Sequence, residues 1–531
     1  MTTYCMRADG TATTKAQATG PLTDPSKCMP MSVHNAGTFA ANDVIIVGDQ
    51  GGVYRITGMI MPSDQVTYQP DSRRPVVSGA QIAANSSWSK TTGRTNVYQI
   101  PYDLDAQAAY PYGVLAMVWE EDVRLSEQTS IADVDSNPGS FYHDDTANIM
   151  YAHASDSSSM VLNGMTYELP AHGVCVDFNN KNGLTFLGIN ATKTMGDSNT
   201  AGGFSVEGEG NFISGLKTWD HRRHAFIFYV NADSCVAENI ECVDSFYGAS
   251  VTFYNTGTVN NVFRKSKVHN SAGSGNIYSH GNGSGNIISD NDIWNDEDYP
   301  DAAYLIQLSD SGHQVLNNRL WGKCPSTISI PSSEFSTGGL VFRGNIIDGS
   351  GTTDAVYGML FRGVPGAIFS HNLIKNFSNT YTVCVRTGCS DFNAKNNVFV
   401  NAERFFLVES SSTTGFESDY NQGVPNARWG SWDGTPITAL GDWQAASSQD
   451  AHSSDTDPKI SDAGVLASDS PCIDAGVWDE GVNDGGEIFR GNRKIYGLPN
   501  IGPDQKTGSP SGGGTSSLMI EGQRSGAMIL G

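Results

Sequence analysis

Asp220 and Asp244 lie 24 residues apart, each directly after a large apolar residue, Trp219 and Val243. The same phase of the sequence then reads His269, Trp294, Trp321, Asp348, Lys375 and Val400. Carboxylates, an imidazole and two indoles at one spacing suit sugar chemistry, because flat aromatic faces stack on sugar rings and carboxylates bond hydroxyls. On neighbouring strands about 4.8 Å apart, the two Asp carboxyls fall near the roughly 5 Å separation of a retaining glycosidase pair. Like charges that close raise one pKa, which suits a general acid. The plain alternative is that these Asp only bind turn amides or a cation, under loops that bury the column.

The run Trp219–His224 places His221, Arg222, Arg223 and His224 together in an acidic chain. A lyase needs a cation to neutralise a uronate and a base to take its C5 proton, and such residues can serve. A salt-bridged loop is the plain alternative. Another column reads Asn231, Asn255, His280, Ser309, Arg362, Arg386 and Ser410. Arg362 and Arg386 would stack and need anions, from protein carboxylates or an acidic glycan. The catalytic candidates are therefore Asp220, Asp244, His221, Arg222 and His224. The substrate-binding candidates are His269, Trp294, Trp321, Asp348, His280, Arg362 and Arg386. The acidic loop Asn295–Asp301 could bind Ca²⁺ through oxygen ligands but lacks the spacing of a known calcium loop. No cofactor or structural metal is expected, and no Ser–His–Asp, phosphate-loop, dinucleotide or zinc pattern stands out.

The elements that must hold these residues are short and repeated. Between Ser214 and Asn401 a polar–x–apolar–x–polar pattern recurs, with apolar anchors at 219, 243, 268, 293, 320, 347, 374 and 399. A drifting period of 24 to 27 residues with strand-like alternation marks stacked rungs. Each unit is too short to bury its apolar side alone, so stacked coils share one core. Two positions before the anchor stand Asn291, Asn318, Asn345, Asn372 and Asn397. An amide both donates and accepts, so stacked Asn can bond rung to rung as a structural ladder. One position after the anchor, alternation predicts the outward column that begins at Asp220 and Asp244.

A 531-residue chain would ordinarily form two or three domains, but a solenoid can grow as one. Fifty-nine glycines with 17% charged residues suit a turn-rich all-β chain. A net charge of −24 excludes sustained binding to nucleic acid or an anionic membrane. No run of 18 apolar residues occurs, so no membrane insertion is expected. The first residues, MTTYCMRADGTATTK, lack the apolar core of a signal peptide. Nine scattered cysteines without a CxxC pair argue against a disulfide framework, and cytoplasmic synthesis fits them.

In chain order, residues 1–85 are read as an N-terminal cap, with a short helix between Lys15 and Ala41, and first coils. Residues 86–170 break the repeat, with strands expected at Asn96–Pro101, Gly113–Trp119 and Asn148–Ala152. PGSFYHDDTANIMY (Pro138–Tyr151) resembles the small β-sandwich inserted early in several β-helix glycan-active proteins. Residues 171–424 form the main coils, and 425–505 close them. SPCIDAGVWDEG (Ser470–Gly481) and IFRGNRKIYGLPNIGPDQ (Ile488–Gln505) resemble the closing signature of right-handed β-helix proteins. Residues 506–531 read as a Gly/Ser linker with an apolar tail.

Over residues 1–505 the sequence resembles the right-handed parallel β-helix superfamily, which includes pectate-lyase-like enzymes, glycoside hydrolases and phage tailspikes. The resemblance implies an all-β fold: a right-handed parallel β-helix with an inserted β-sandwich and a flexible tail. That fold hosts many chemistries, and no catalytic motif of a family carries over. The preferred expectation is a virion surface protein, a tailspike or tail fibre, that binds and in some cases cuts host polysaccharide. It would be a homotrimer, with virion proteins as partners of its C-terminal tail, on the virion surface or extracellular. The alternatives are a secreted bacterial glycoside hydrolase or polysaccharide lyase, and a non-catalytic adhesin or filament subunit.

Overall fold

The computed structural model describes residues 1–50, 52–55, 59–71, 73–103, 117–194, 196, 201–281, 283–296, 304–331, 338–353, 357–378, 380–477 and 501–503, and the backbone of 488–489 and 493–494. Three long sheets wrap one core. The first has 13 strands, from Thr3–Met6 to Glu417–Asp419. The second has 11, from Val76–Ser78 to Gln422–Gly423. The third has 13, from Met59–Ile60 to Thr435–Ile437. Each coil contributes one strand to each sheet in turn, and along the main coils every pairing is parallel to the same strand of the next coil. This is the stacked-rung solenoid that the recurrence predicts, about 13 turns long.

Burial of one apolar residue per strand per coil builds the core. The second sheet points Val268, Ile293, Leu320, Ile347, Ile374 and Phe399 inward, all at 1% exposure or less. The third sheet stacks Phe226, Val251, Ile277, Ile306, Ile328 and Met359 in register. Ring-on-ring contacts such as Phe228–Phe253, 4.8 Å apart and 6° from parallel, run along the axis. The five predicted asparagines are buried and bond rung to rung. In each, the side-chain oxygen accepts from the backbone N–H of the ladder residue one coil earlier, and Asn421 extends the series.

The register of the first two predicted anchors differs by one residue. Thr218 pairs with Cys242, which pairs with Val268, so Trp219 and Val243 belong to the outward column with His269 and Trp294. The cause is a bend: Asp220 and Asp244 hold left-handed backbone, φ 64° and 54°, and the ladder skips them to pair His221 with Ser245. Asn270, Asn376 and Asn401 bend at the same phase. Asp and Asn tolerate this conformation better than other non-glycine residues.

Between Ser78 and Val174 the chain leaves the coil and, among the described residues, builds two small sheets of four and five strands over a separate core containing Trp88, Trp119, Phe141 and Tyr167. Its strands include Tyr98–Pro101, Trp119–Glu120 and Ile149–His153; residues 113–116 of one expected strand lie outside the described residues. The N-terminal cap holds two 3-10 turns and one short helix, Met31–Asn35. The closing segment packs Ile460, Cys472 and Ile501 on Ile346, Leu373 and Val398 of the second sheet. Asn396 exchanges two hydrogen bonds with Val477 inside the predicted closing signature. The tail, 506–531, lies outside the described residues, as does the acidic loop from 297 onward. Among the described residues no helix is long and apolar enough to cross a membrane.

Candidate functional site

Two outer faces carry polar and aromatic columns. On the second sheet the column runs Trp219, Val243, His269, Trp294 and Trp321, in register on successive coils. His269 and Trp294 stack at 4.1 Å and 8°, and Trp294 and Trp321 at 5.1 Å and 3°. The rings therefore cover one another's faces, and mainly their edges meet solvent. The expected row of free aromatic platforms is instead a self-stacked ladder. His269 also faces Glu241 at 3.7 Å, and burial holds its pKa below the usual value against that carboxylate. Beside this column runs a charged one, Lys217, Glu241, Lys267, Asp292 and Arg319, which turns apolar at Ile346, where the closing segment covers it.

The insert covers the other end of that face. Trp119 is fully buried, and its indole N–H donates to Asp220 at 2.5 Å. Arg124 of the insert lies over Phe246, 3.2 Å from the ring centroid. Burial pushes the Asp220 carboxyl up to about 6, while the Trp119 N–H, Arg124 and Lys193 hold it down; Asp244 is the smallest influence. Asp244 is raised too, by burial, against His269 and Asn270. Asp220 thus serves the joint between insert and coil.

The basic cluster is not an exposed loop. His221 is fully buried, bonded through Nδ1 to Thr194 Oγ1 at 2.8 Å and through Nε2 to Thr218 Oγ1 at 2.6 Å. A Cβ on Gly203 would stand 2.7 Å from its Nε2, so packing leaves no room there. His224, 4% exposed, meets the Ala249 carbonyl at 3.1 Å and Thr252 Oγ1 at 2.9 Å. Burial pushes both imidazoles down to about 3, so both are neutral. Arg222 is buried beside the Tyr247 ring. Partners on the preceding coil enclose His221, and partners on the following coil enclose His224.

The other predicted column lies along the third sheet but is out of register at both ends: His280 pairs with Tyr254 rather than Asn255, and the Val385–Val408 pairing sets Arg386 against Glu409 rather than Ser410. His280 is in register with Tyr254, and Arg362 with Arg386. Tyr229 and Tyr254 stack at 6.1 Å and 12°, and His280 lies 5.6 Å from Tyr254 and 5.8 Å from Tyr278. Arg386 pairs with Glu409 and reaches the Tyr357 hydroxyl, so a protein carboxylate supplies the anion that the stacked arginines require. At the foot of the ladder stand two carboxylates that sequence reasoning did not single out. Asp177 points outward, in register with Ser205 on the next coil. Glu207 stands two residues past Ser205, just beyond the end of the Gly202–Val206 strand, half-buried and next to the inward Val206. Burial, then the charge of Asp177, pushes Glu207 up to about 7. Burial raises Asp177 as well, against the Asn179 N–H that its Oδ1 accepts at 2.8 Å. Their 30-residue separation in sequence matches no period of the repeat, so only a coil of known length brings them together.

No family model and no curated protein matches the chain. Solved structures do. The structure of XylC in complex with xylose aligns with a TM-score of 0.54 at 14% identity, over 76% of this chain and 76% of that one. This chain has the right-handed parallel β-helix fold of pectate-lyase-like proteins. A glycoside hydrolase aligns with the β-helix at a TM-score of 0.49 and 10% identity, covering 84% of this chain and 98% of the other. Pectate lyase Pel9A aligns at 0.43 and 11% identity, covering 95% and 96%.

Proposed function

We propose that this β-helix binds a polysaccharide across the outer face of its third sheet and hydrolyses it. Glu207 is the general acid, and Asp177 is the carboxylate that activates water. The observation that carries this reading is their placement, diagonal on adjacent coils below the Tyr229–Tyr254–His280 ladder. One strand spacing across and two residues along separate their attachment points by about 8 Å. Side chains rooted at that spacing can set their carboxyl groups at the roughly 6.5–9.5 Å of inverting glycosidases, which leave room for a water. Glu207 would protonate the glycosidic oxygen as its bond to the anomeric carbon breaks. Asp177 would take a proton from the water that forms the new bond on the opposite side. A Glu near 7 is protonated often enough at neutral pH to act as an acid. Asp220 is less suited, because Trp119 already holds its carboxylate. Hydrolysis is favoured over elimination because His221, Arg222 and His224 are enclosed. A protein of the same fold is solved with xylose bound, in keeping with a sugar ligand.

The test is incubation with bacterial surface and plant polysaccharides, reading reducing ends together with the ultraviolet absorbance of an unsaturated product. Glu207→Gln and Asp177→Asn should each cut hydrolysis by about 10²–10⁴-fold, while Asp220→Asn stays active. Loss of activity in Asp220→Asn and Asp244→Asn, with Glu207→Gln active, would move the chemistry to the second sheet. New absorbance would make the protein a lyase.

The virion surface placement, as a tailspike-like trimer, is supported by one observation: the nine cysteines are buried and scattered, without a CxxC pair. That suits folding in a reducing cytoplasm before release. A secreted bacterial enzyme and a non-catalytic adhesin are the alternatives, which subunit mass and the glycan assay separate.

A further inference from the structure

The ring ladder of the second sheet ends at Trp321. Trp294 covers one face of that indole, and the next outward positions along the axis are Asp348 and then Lys375. The side of Trp321 away from Trp294 opens on a cleft of about 180 Å³, lined by Arg319, Trp321, Ile346, Asp348, Lys375 and Asp462. Asp462 comes from the closing segment and stands exposed at the cleft's rim. Lys375 Nζ lies 3.2 Å from Asp348 and 3.0 Å from Asp462. Asp348 also accepts from the Ser350 N–H at 3.0 Å and from Asn376 Nδ2 at 3.1 Å. Burial alone would raise the Asp348 pKa, but these donors and Lys375 keep it below the usual value. It is a fixed acceptor rather than an acid.

We infer that this cleft is a second carbohydrate site, separate from Glu207, and that it holds one neutral sugar residue stacked on Trp321. Three features select that ligand. The indole, which Arg319 flanks at 5.5 Å from its ring centroid, gives a flat wall, as the face of a pyranose needs. Two cations, Arg319 and Lys375, balance two carboxylates, Asp348 and Asp462, so no net charge attracts a phosphate, a uronate or a metal ion. Lys375 and the two carboxylates are already aimed by their pairing, which suits the mixed hydroxyls of a neutral sugar. The volume is below the roughly 300–1,000 Å³ of drug-sized pockets, so the site takes one residue while the rest of a chain runs over the exposed ladder edges. Such a site would hold a polymer on the protein without cutting it, and does not require the Glu207 chemistry.

The experiment is saturation-transfer NMR on the full chain with the methyl glycosides of glucose, galactose, mannose and xylose, and with short oligomers of each. At least one should bind. Trp321→Ala should weaken it about tenfold, and Trp321→Phe, which keeps a ring, about threefold or less. Asp348→Asn keeps the shape, removes the fixed charge and should also weaken binding. Glu207→Gln should leave this binding unchanged, so failure of hydrolysis and failure of this site are read separately. The inference is overturned if no neutral sugar binds, if folded Trp321→Ala binds as the native chain does, or if Glu207→Gln alone removes binding.

Discussion

Replacing Asn345 by alanine tests what holds the coils in register. Asn345 is fully buried in the middle of the ladder. Its side-chain oxygen accepts from the Asn318 backbone N–H at 2.9 Å and from Asn318 Nδ2 at 3.1 Å. Its Nδ2 donates to the Val315 carbonyl at 2.9 Å and to Asn372 Oδ1 at 3.0 Å. After Asn345→Ala, Asn318 Nδ2 keeps the Ile288 carbonyl, and Asn372 Oδ1 keeps the Asn345 backbone N–H. The Asn318 N–H loses its acceptor, a cost of about 1–3 kcal/mol for a buried orphan. The Val315 carbonyl loses one donor, with a net worth of about 1 kcal/mol. We expect a loss of about 2–4 kcal/mol. A long repeat need not unfold all at once, so a local readout is required. Hydrogen exchange at Asn318 and its neighbours should accelerate by about 30-fold or more, since 1.4 kcal/mol is tenfold. Urea unfolding of the same variant gives the global figure. The exposed Asn426→Ala, at a residue without left-handed backbone, is the control and should stay within about 0.5 kcal/mol. A loss below about 1 kcal/mol in Asn345→Ala, or equal to that control, would refute the ladder as a stabilising device.

Hydrolysis should fall as pH rises through about 7, because Glu207 then loses the proton it must donate, and Glu207→Gln should lack that limb. Lys193, 3% exposed, pairs with the buried Glu168 and with Asp122 at the joint of insert and coil. Lys193→Met should cost somewhat less than the roughly 3–5 kcal/mol of a stranded buried charge, because Arg55 still faces Glu168, and limited proteolysis should cut the joint faster. Light scattering should give three times the 56.7 kDa chain mass if the protein is the expected trimer, and a monomer mass would remove that reading.

The recurrence of apolar anchors and the five asparagines determined the solenoid by themselves. Every coil must supply the same side-chain chemistry at the same phase, so the fold is written once per turn and survives loop changes. In the closing segment, Cys472 joins Ile346, Leu373 and Val398 in one apolar cluster, and Asn396 bonds Val477. Facing was less secure. Alternation counted through Asp220 and Asp244 fails because both sit at a left-handed bend, and one skipped residue exchanges inside for outside. The aromatic column was read with the right members from His269 onward, but register alone cannot say that the rings spend their faces on each other. Burial of His221 and His224 depended on the neighbouring coil and on Gly203, which no spacing reveals. The Asp177–Glu207 pair was decided wholly by tertiary structure. It joins two coils on a diagonal set by the length of the loop between them, whereas sequence periodicity reports only residues that stack directly.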